Sequence, residues 1–399
     1  MRLRVQSMAE AAKVIDKTTE IFNMTKPAEE RPRPEAAAAT AKRRIRVGVV
    51  GCGEATQIIH WPALYQLPDC FEVTALCDIS QPVVEELGKN WNVQNLTTDH
   101  RALVTCSDVD AVLIANLDAF HAEVTVDAIA AGKHVLVEKP MCITRREAEQ
   151  IITAQKNTNL VVQVGYVRRY APAFLAGFEI VKKLKEIRFA RVRDFIGDNS
   201  LIVNRTSRVV RNAQLPESIK KEAKLRRDTL LDESVGGKAG PAIRLAYSLM
   251  LGLSSHDLSA MREWLGMPNK VLFAAQRGNG LYMTAAFDYG RFVCLFETGV
   301  DEIPRFDAQL EVFGTDKIVR IEYDTAHIRN IPIRLIVTEN NGTGGVSTLN
   351  SHTTWGDPFV SEWQAFYENI LHNSVPKTSP ADFVKDLDLF AEMVRLMRE

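Results

Sequence analysis

The chain has 399 residues, 46% of them hydrophobic and 25% charged, with 49 Lys and Arg against 50 Asp and Glu. That apolar content can fill two or three globular cores, and the near-zero net charge excludes a whole-chain basic field for nucleic acid and an acidic solvating tail. No apolar run approaches the length of a membrane span, so a soluble, cytoplasmic protein is expected, whose partners are a small-molecule substrate and copies of itself.

Residues 1–44 stand apart. SMAEAAKVIDKTTEIF (7–22) has helical periodicity, and KPAEERPRPEAAAATAKRR reads as a Pro- and Ala-rich linker. The segment lacks the apolar core of a secretory signal, and Glu10, Asp16 and Glu20 argue against a mitochondrial transit peptide. It is expected to form an arm that packs on the body or on another subunit.

From residue 45 the pattern becomes strand, turn, helix, repeated. IRVGVV (45–50), FEVTALCD (71–78), DAVLIANL (110–117), KHVLVEKP (133–140) and LVVQVGY (160–166) are apolar strands. Continuous apolar runs suit a parallel sheet covered on both faces. The helical stretches QPVVEELGKNW (81–91), AEVTVDAIAAG (122–132) and REAEQIITAQKNT (146–158) alternate with them. Such alternation implies βαβ units and a doubly wound sheet.

After about residue 185 the texture changes. Segments 189–196, 271–278, 281–290, 292–300 and 308–324 read as strands with few helices between the later ones, which predicts an antiparallel sheet. One of its faces should lack a helical cover, and an uncovered apolar face marks an interface. Two helices end the chain. The expected fold class is α/β: an arm (1–44), a Rossmann domain with a doubly wound parallel sheet (45–165), and an α/β domain with a large, mostly antiparallel open sheet for substrate binding and oligomerisation (166–399). The six cysteines form no C-x-x-C pair, and no His/Cys cluster has zinc spacing, so buried thiols and no metal are expected.

Four motifs carry chemistry. GCGEAT (51–56) lies between an apolar strand and a helix. Gly51 permits the tight turn and Gly53 lets the backbone approach a pyrophosphate, with Glu54, Ala55 and Thr56 opening a helix whose N–H groups favour anions. Thr56 replaces the third glycine of the pattern, which predicts looser helix–strand packing. Asp78 ends the next strand, where a carboxylate accepts hydrogen bonds from ribose hydroxyls and repels a 2′-phosphate. Ile79 and Ser80 follow, with no basic residue, which favours NAD over NADP. Glu138 and Lys139 end strand 133–137, so Lys139 aims at the crevice beyond the strand ends and can stabilise an alkoxide. His256 opens the helix SSHDLSAMREWLG, beside Ser255, and can exchange a proton near neutral pH. Alone, a strand-end lysine is a solvated cation and a helix-start histidine is structural.

Together, GCGEAT, Asp78, HAEVTVDAIAAGKHVLVEKPM and the His256 helix resemble the glucose–fructose oxidoreductase/inositol dehydrogenase/rhizopine-catabolism (Gfo/Idh/MocA) family across roughly residues 45–399, including QVGYVRRYAPAF (163–174). The resemblance implies hydride transfer to or from a nicotinamide, at a sugar, polyol or related carbinol, with Lys139 and His256 facing the reacting carbon. It places His121 near the cofactor, together with Asn116 and Glu138. Tyr166, Arg169, Tyr170 and Ser255 are further substrate candidates. The sequence departs from the family where many members carry aspartates, four residues before and three after the helix histidine; here those positions are Gly252 and Ser259. The basic segment 197–250 reads either as a substrate lid with an anion-binding face or as a solvated loop and helix. The expected activity is NAD-dependent interconversion of a secondary alcohol and ketone. The alternatives are an imine reductase or natural-product or glycoside oxidoreductase that retains its NAD, and a catalytically silent dinucleotide-binding sensor.

Overall fold

A computed structural model describes residues 43–212, 215–353 and 355–398, so the expected arm falls outside the described residues up to position 42. The apolar runs of the first half form six parallel strands: β1 (Ile45–Val50), β2 (Phe71–Cys77), β3 (Asn95–Thr97), β4 (Ala111–Ile114), β5 (His134–Glu138) and β6 (Val162–Gly165). Their order is β3-β2-β1-β4-β5-β6. All four residues of β4 are buried, as a strand covered on both faces requires. Helices cover the sheet: α1 (Trp61–Tyr65), entered through a π-helical stretch Thr56–His60, then α2 (Gln81–Trp91), α3 (His100–Val104), α4 (Asp118–Ala130) and α5 (Arg145–Gln155). Thr144 and Glu147 form a reciprocal capping box that starts α5.

The strand order reverses between β1 and β4, which opens a crevice at their carboxyl ends. Backbones come very close there. Gly51 has φ +94°, and a Cβ at this position would lie 2.3 Å from the Asn116 nitrogen. Only glycine meets both demands.

A 3₁₀ turn (Val167–Tyr170) and α6 (Pro172–Val181) lead into the second sheet. Its strands are β7 (Ile187–Ile196), β8 (Lys270–Arg277), β9 (Tyr282–Asp288), β10 (Val293–Val300), β11 (Phe306–Gly314), β12 (Lys317–Tyr323), β13 (Arg334–Asn340) and β14 (Val346–His352). The order is β14-β13-β12-β11-β7-β10-β9-β8, antiparallel except where β7 and β10 run parallel. Between β7 and β8 lie α7 (Ser200–Thr206), α8 (Glu217–Val235), α9 (Pro241–Leu249), a π-helical stretch (Met250–Ser254) and α10 (Ser255–Leu265). The chain closes with α11 (Pro358–His372) and α12 (Pro380–Met397). Both sheets belong to one compact unit, Arg44–Glu399. Among the described residues, no helix is long and apolar enough to cross a membrane.

Three local expectations change. The run 308–324 is a hairpin turned at Thr315 and Asp316. β3, β13 and β14 went unread, because β3 is three residues long and β14 (VSTLNSH) is polar and held by its ladder with β13. His256 does not open a helix: the π stretch carries α9 straight into α10.

The second sheet alternates cleanly. Ala190, Val192, Leu310 and Val312 are buried on one face. The half-exposed opposite face carries Arg191–Glu297 (3.7 Å), Arg193–Asp307 (3.4 Å), Arg320–Glu322 (2.9 Å) and Arg334–Glu322 (2.6 Å). Phe189, Phe195, Leu295, Phe313 and Ile318 share that face, so the apolar surface expected from the strand pattern is interleaved with ion pairs.

Candidate active site

A cavity of about 450 Å³ lies between the carboxyl ends of the parallel strands and the second sheet. Ala55, Asn116, His121, Glu138, Lys139 and His256 all line it, so six of the residues singled out from the sequence meet in one place.

Glu138 and Lys139 form the centre. Trp363 donates its indole N–H to His60 Nδ1 (3.2 Å), which leaves the His60 proton on Nε2, facing Glu138 Oε1 at 2.9 Å. Glu138 Oε2 accepts the Lys139 backbone N–H (3.1 Å). Burial would raise the Glu138 carboxyl, but the His60 hydrogen bond and the Lys139 charge outweigh it and hold the group below its usual range. The Lys139 ammonium donates to the carbonyl of Gly252, in the π stretch before His256. Burial pulls the Lys139 pKa below that of a free lysine, with Glu138 opposing and the Arg168 charge assisting. Gly252 thus engages the lysine through its backbone.

His256 sits half-buried on the cavity wall, with its Nδ1 unpartnered. Burial, then the charges of Lys139 and Arg168, push its pKa well below that of a free imidazole, which keeps it neutral and able to accept a proton. The two π-helical stretches adjoin the glycine loop and His256, and such single-turn bulges frequently mark functional sites.

Arg168, which the sequence reading passed over, also lines the cavity. Its guanidinium lies 4.8 Å from the Tyr323 ring centroid and 5.5 Å from that of Phe306. It pairs closely with Asp257 and stands 3.6 Å from Asp194. Both Asp194 oxygens and Asp257 Oδ2 are buried without a hydrogen-bond partner. Burial and the neighbouring Asp194 raise the Asp257 carboxyl well above its usual range despite Arg168.

The other substrate candidates do not reach the cavity. The Tyr166 hydroxyl donates to Asp386 (2.8 Å), Arg169 is tied to Glu263 (2.6 Å) and Asp382, Tyr170 bonds Thr378 (2.8 Å), and Ser255 donates back to the Leu251 carbonyl (2.8 Å). They brace the core. The YVRRY motif was the right signal read one residue out of phase, because a 3₁₀ turn sends Arg168 and Arg169 to different sides.

The glycine loop suits a dinucleotide. Gly53 is exposed, and a Cβ there would meet nothing within 4 Å. Asp78 accepts the N–H of Cys52 (2.8 Å) and of Ser80 (2.9 Å), which fixes its carboxylate beside the loop. Asn116 Oδ1 is buried and unpartnered, and His121 is anchored between the carbonyls of Pro140 (2.7 Å) and Asn116 (3.0 Å). Thr56 corrects the expectation of loose packing: it is buried, and its hydroxyl donates to the Gly51 carbonyl at 2.5 Å. The segment 197–250 fastens over this region. Gln57 exchanges two hydrogen bonds with the Val210 backbone (2.9 and 2.8 Å), while Arg211, Arg226 and Arg227 pair with Glu54, Glu123 and Asp118. Three of its basic side chains thus serve to hold it down.

Residues 45–166 match the model of an oxidoreductase family with an NAD-binding Rossmann fold, Gfo/Idh/MocA. That match spans the parallel sheet alone. Oxidoreductase P35 of Formosa agariphila is 31% identical over 144 residues, which is 36% of this chain and 42% of that protein. The first curated relatives are thus matched over about two fifths of their length. Myo-inositol 2-dehydrogenase of Thermotoga maritima is 23% identical across 85% of this chain and 92% of its own. Among solved structures, a 3-ketoreductase from Actinomadura kijaniata, in complex with TDP-benzene and NADP, superposes with a TM-score of 0.65 at 18% identity over 89% of this chain and 97% of that one. The fold shared with that structure thus extends over both sheets.

Arg168 stands between two buried carboxylates, Asp194 and Asp257. Removing one partner from a buried ionic cluster costs about 3–5 kcal/mol. Arg168→Met should therefore lower the free energy of unfolding in urea by about that amount, and Asp194→Asn, which leaves Arg168 a partner in Asp257, should cost less.

Proposed function

We propose that this protein is an NAD-dependent oxidoreductase that interconverts a secondary alcohol and its ketone. The observation that carries this reading is the meeting of Lys139 and a neutral His256 in one cavity, at the strand ends where the glycine loop also lies. Gly51, Gly53, Glu54, Ala55 and Thr56 would hold the pyrophosphate, Asp78 the adenosine ribose, and Asn116, His121 and Glu138 the nicotinamide side. When bound, the nicotinamide supplies the hydride acceptor for alcohol oxidation. His256 takes the hydroxyl proton. Lys139 donates to the same oxygen and stabilises the developing alkoxide, which is strongest in a site shielded from water. Glu138 and the Gly252 carbonyl hold Lys139 in position. In ketone reduction the same groups return the proton.

Asp78 supports NAD over NADP, because a 2′-phosphate would meet its carboxylate with only Ile79 and Ser80 following. NAD should bind more tightly than NADP in fluorescence titrations, and Asp78→Ala should narrow the difference. Equal wild-type affinities would refute the assignment.

The open face of the second sheet supports a homodimer or larger homo-oligomer, joined through complementary rows of Arg and Glu. Light scattering at micromolar concentration should give at least twice the chain mass, falling as salt is raised. A monomer at low salt would rule this out.

Lys139→Ala and His256→Ala should each lose at least ~100-fold in turnover while still binding NAD, and the double variant should lose far less than the product of the two. Because the His256 pKa lies well below that of free histidine, the acid limb of the oxidation rate should fall below pH ~6.5. Near-normal turnover of His256→Ala would remove it from proton transfer.

A further inference from the structure

The activity proposed above leaves the substrate open, and the composition of the cavity wall narrows it. The second sheet and its loops contribute Ile196, Phe306, Ile328, Ile331 and Ile333, beside Asn199, Asp324, Thr325, His327, Arg329 and Asn330, so hydrocarbon forms a patch in a mixed wall. The charged groups nearby are largely committed to the protein. Glu138 is bonded to His60. Both oxygens of Asp118 accept from Arg227 Nε at 3.0 Å. Asp357 accepts the Phe359 N–H (2.8 Å) and pairs with Arg329 (2.5 Å). Arg168 is held by Asp257.

Tyr323 lines the cavity at the end of β12 and is 6% exposed. Its hydroxyl oxygen is itself buried without a partner, so the surface it presents to the cavity is its ring. A hydroxyl placed against this hydrocarbon surrenders water without a partner. An apolar substituent there buries apolar surface instead.

Resting on the oxidoreductase reading, we propose that the substrate is a ring secondary alcohol, or its ketone, that carries an apolar substituent. The reacting carbon lies by Lys139 and His256. The substituent lies against Phe306 and the isoleucines after β12. The residues that select it are Ile331, Ile333 and Phe306.

Calorimetric titration of the NAD-loaded protein tests this with two matched pairs: phenyl against methyl β-D-glucopyranoside, and cyclohexanol against myo-inositol. The more apolar member of each pair should bind at least ~10-fold more tightly, as a filled hydrophobic pocket discriminates. Ile331→Asn should bring the glucosides within ~3-fold of each other, while Ile331→Leu retains the preference. Equal affinities within both pairs, or a preference unchanged by Ile331→Asn, would overturn the proposal. Absorbance of NADH, followed in parallel, separates it from the reading on which it rests. A binding preference without NAD reduction keeps the apolar site and counts against hydride transfer on ring carbinols. NAD reduction by both members with equal efficiency keeps the activity and sinks the apolar site.

Discussion

A lysine ammonium cannot remain charged in an apolar crevice unless other groups accept its hydrogen bonds and balance its charge. Lys139 meets that requirement from both halves of the molecule. Glu138, on the same strand end, supplies the opposite charge, and the Gly252 carbonyl, from the helical run of the second half, accepts its hydrogen bond. The contact therefore does two things. It keeps the cation in place, and it brings the π-helical stretch, and with it His256, to the mouth of the parallel sheet. The indole of Trp363 and the ring of His60 act further back, fixing the Glu138 carboxylate so that it cannot turn away.

Charge balance organises the rest of the cavity as well. Arg168 adds a second buried cation, and Asp194 and Asp257 answer it. Two carboxylates crowd one guanidinium, and burial with the Asp194 charge raises the Asp257 carboxyl. Burial, assisted by the two cations, lowers the pKa of His256, so the histidine on the cavity wall is held neutral and ready to take a proton. Its acid–base character arises from its surroundings, because an isolated histidine would titrate near pH ~6.5.

Backbone, and not a side chain, holds the lysine from the second half. Gly252 offers its carbonyl from the π-helical stretch, and a Cβ at that position would meet nothing within 4 Å. Two buried carboxylates, Asp194 on β7 and Asp257 on α10, engage Arg168 instead.

The sequence by itself determined the strand-turn-helix alternation, the glycine loop, Asp78, Lys139 and His256. Each of these depends on local chemistry: apolar runs for buried strands, glycine for a backbone that must turn tightly, and residue types at strand ends. The tertiary structure alone decided which of two adjacent arginines faces the cavity, because a 3₁₀ turn does not follow the helical period. It decided that Tyr166, Arg169 and Tyr170 brace the core, since their partners, Asp386, Glu263, Asp382 and Thr378, lie far away in the chain. It also decided that the open sheet face carries ion pairs. Alternation reveals which residues share a face, but the registers of β7, β10, β11 and β12 set which charges stand opposite one another, and register is a property of strand pairing that no single strand encodes.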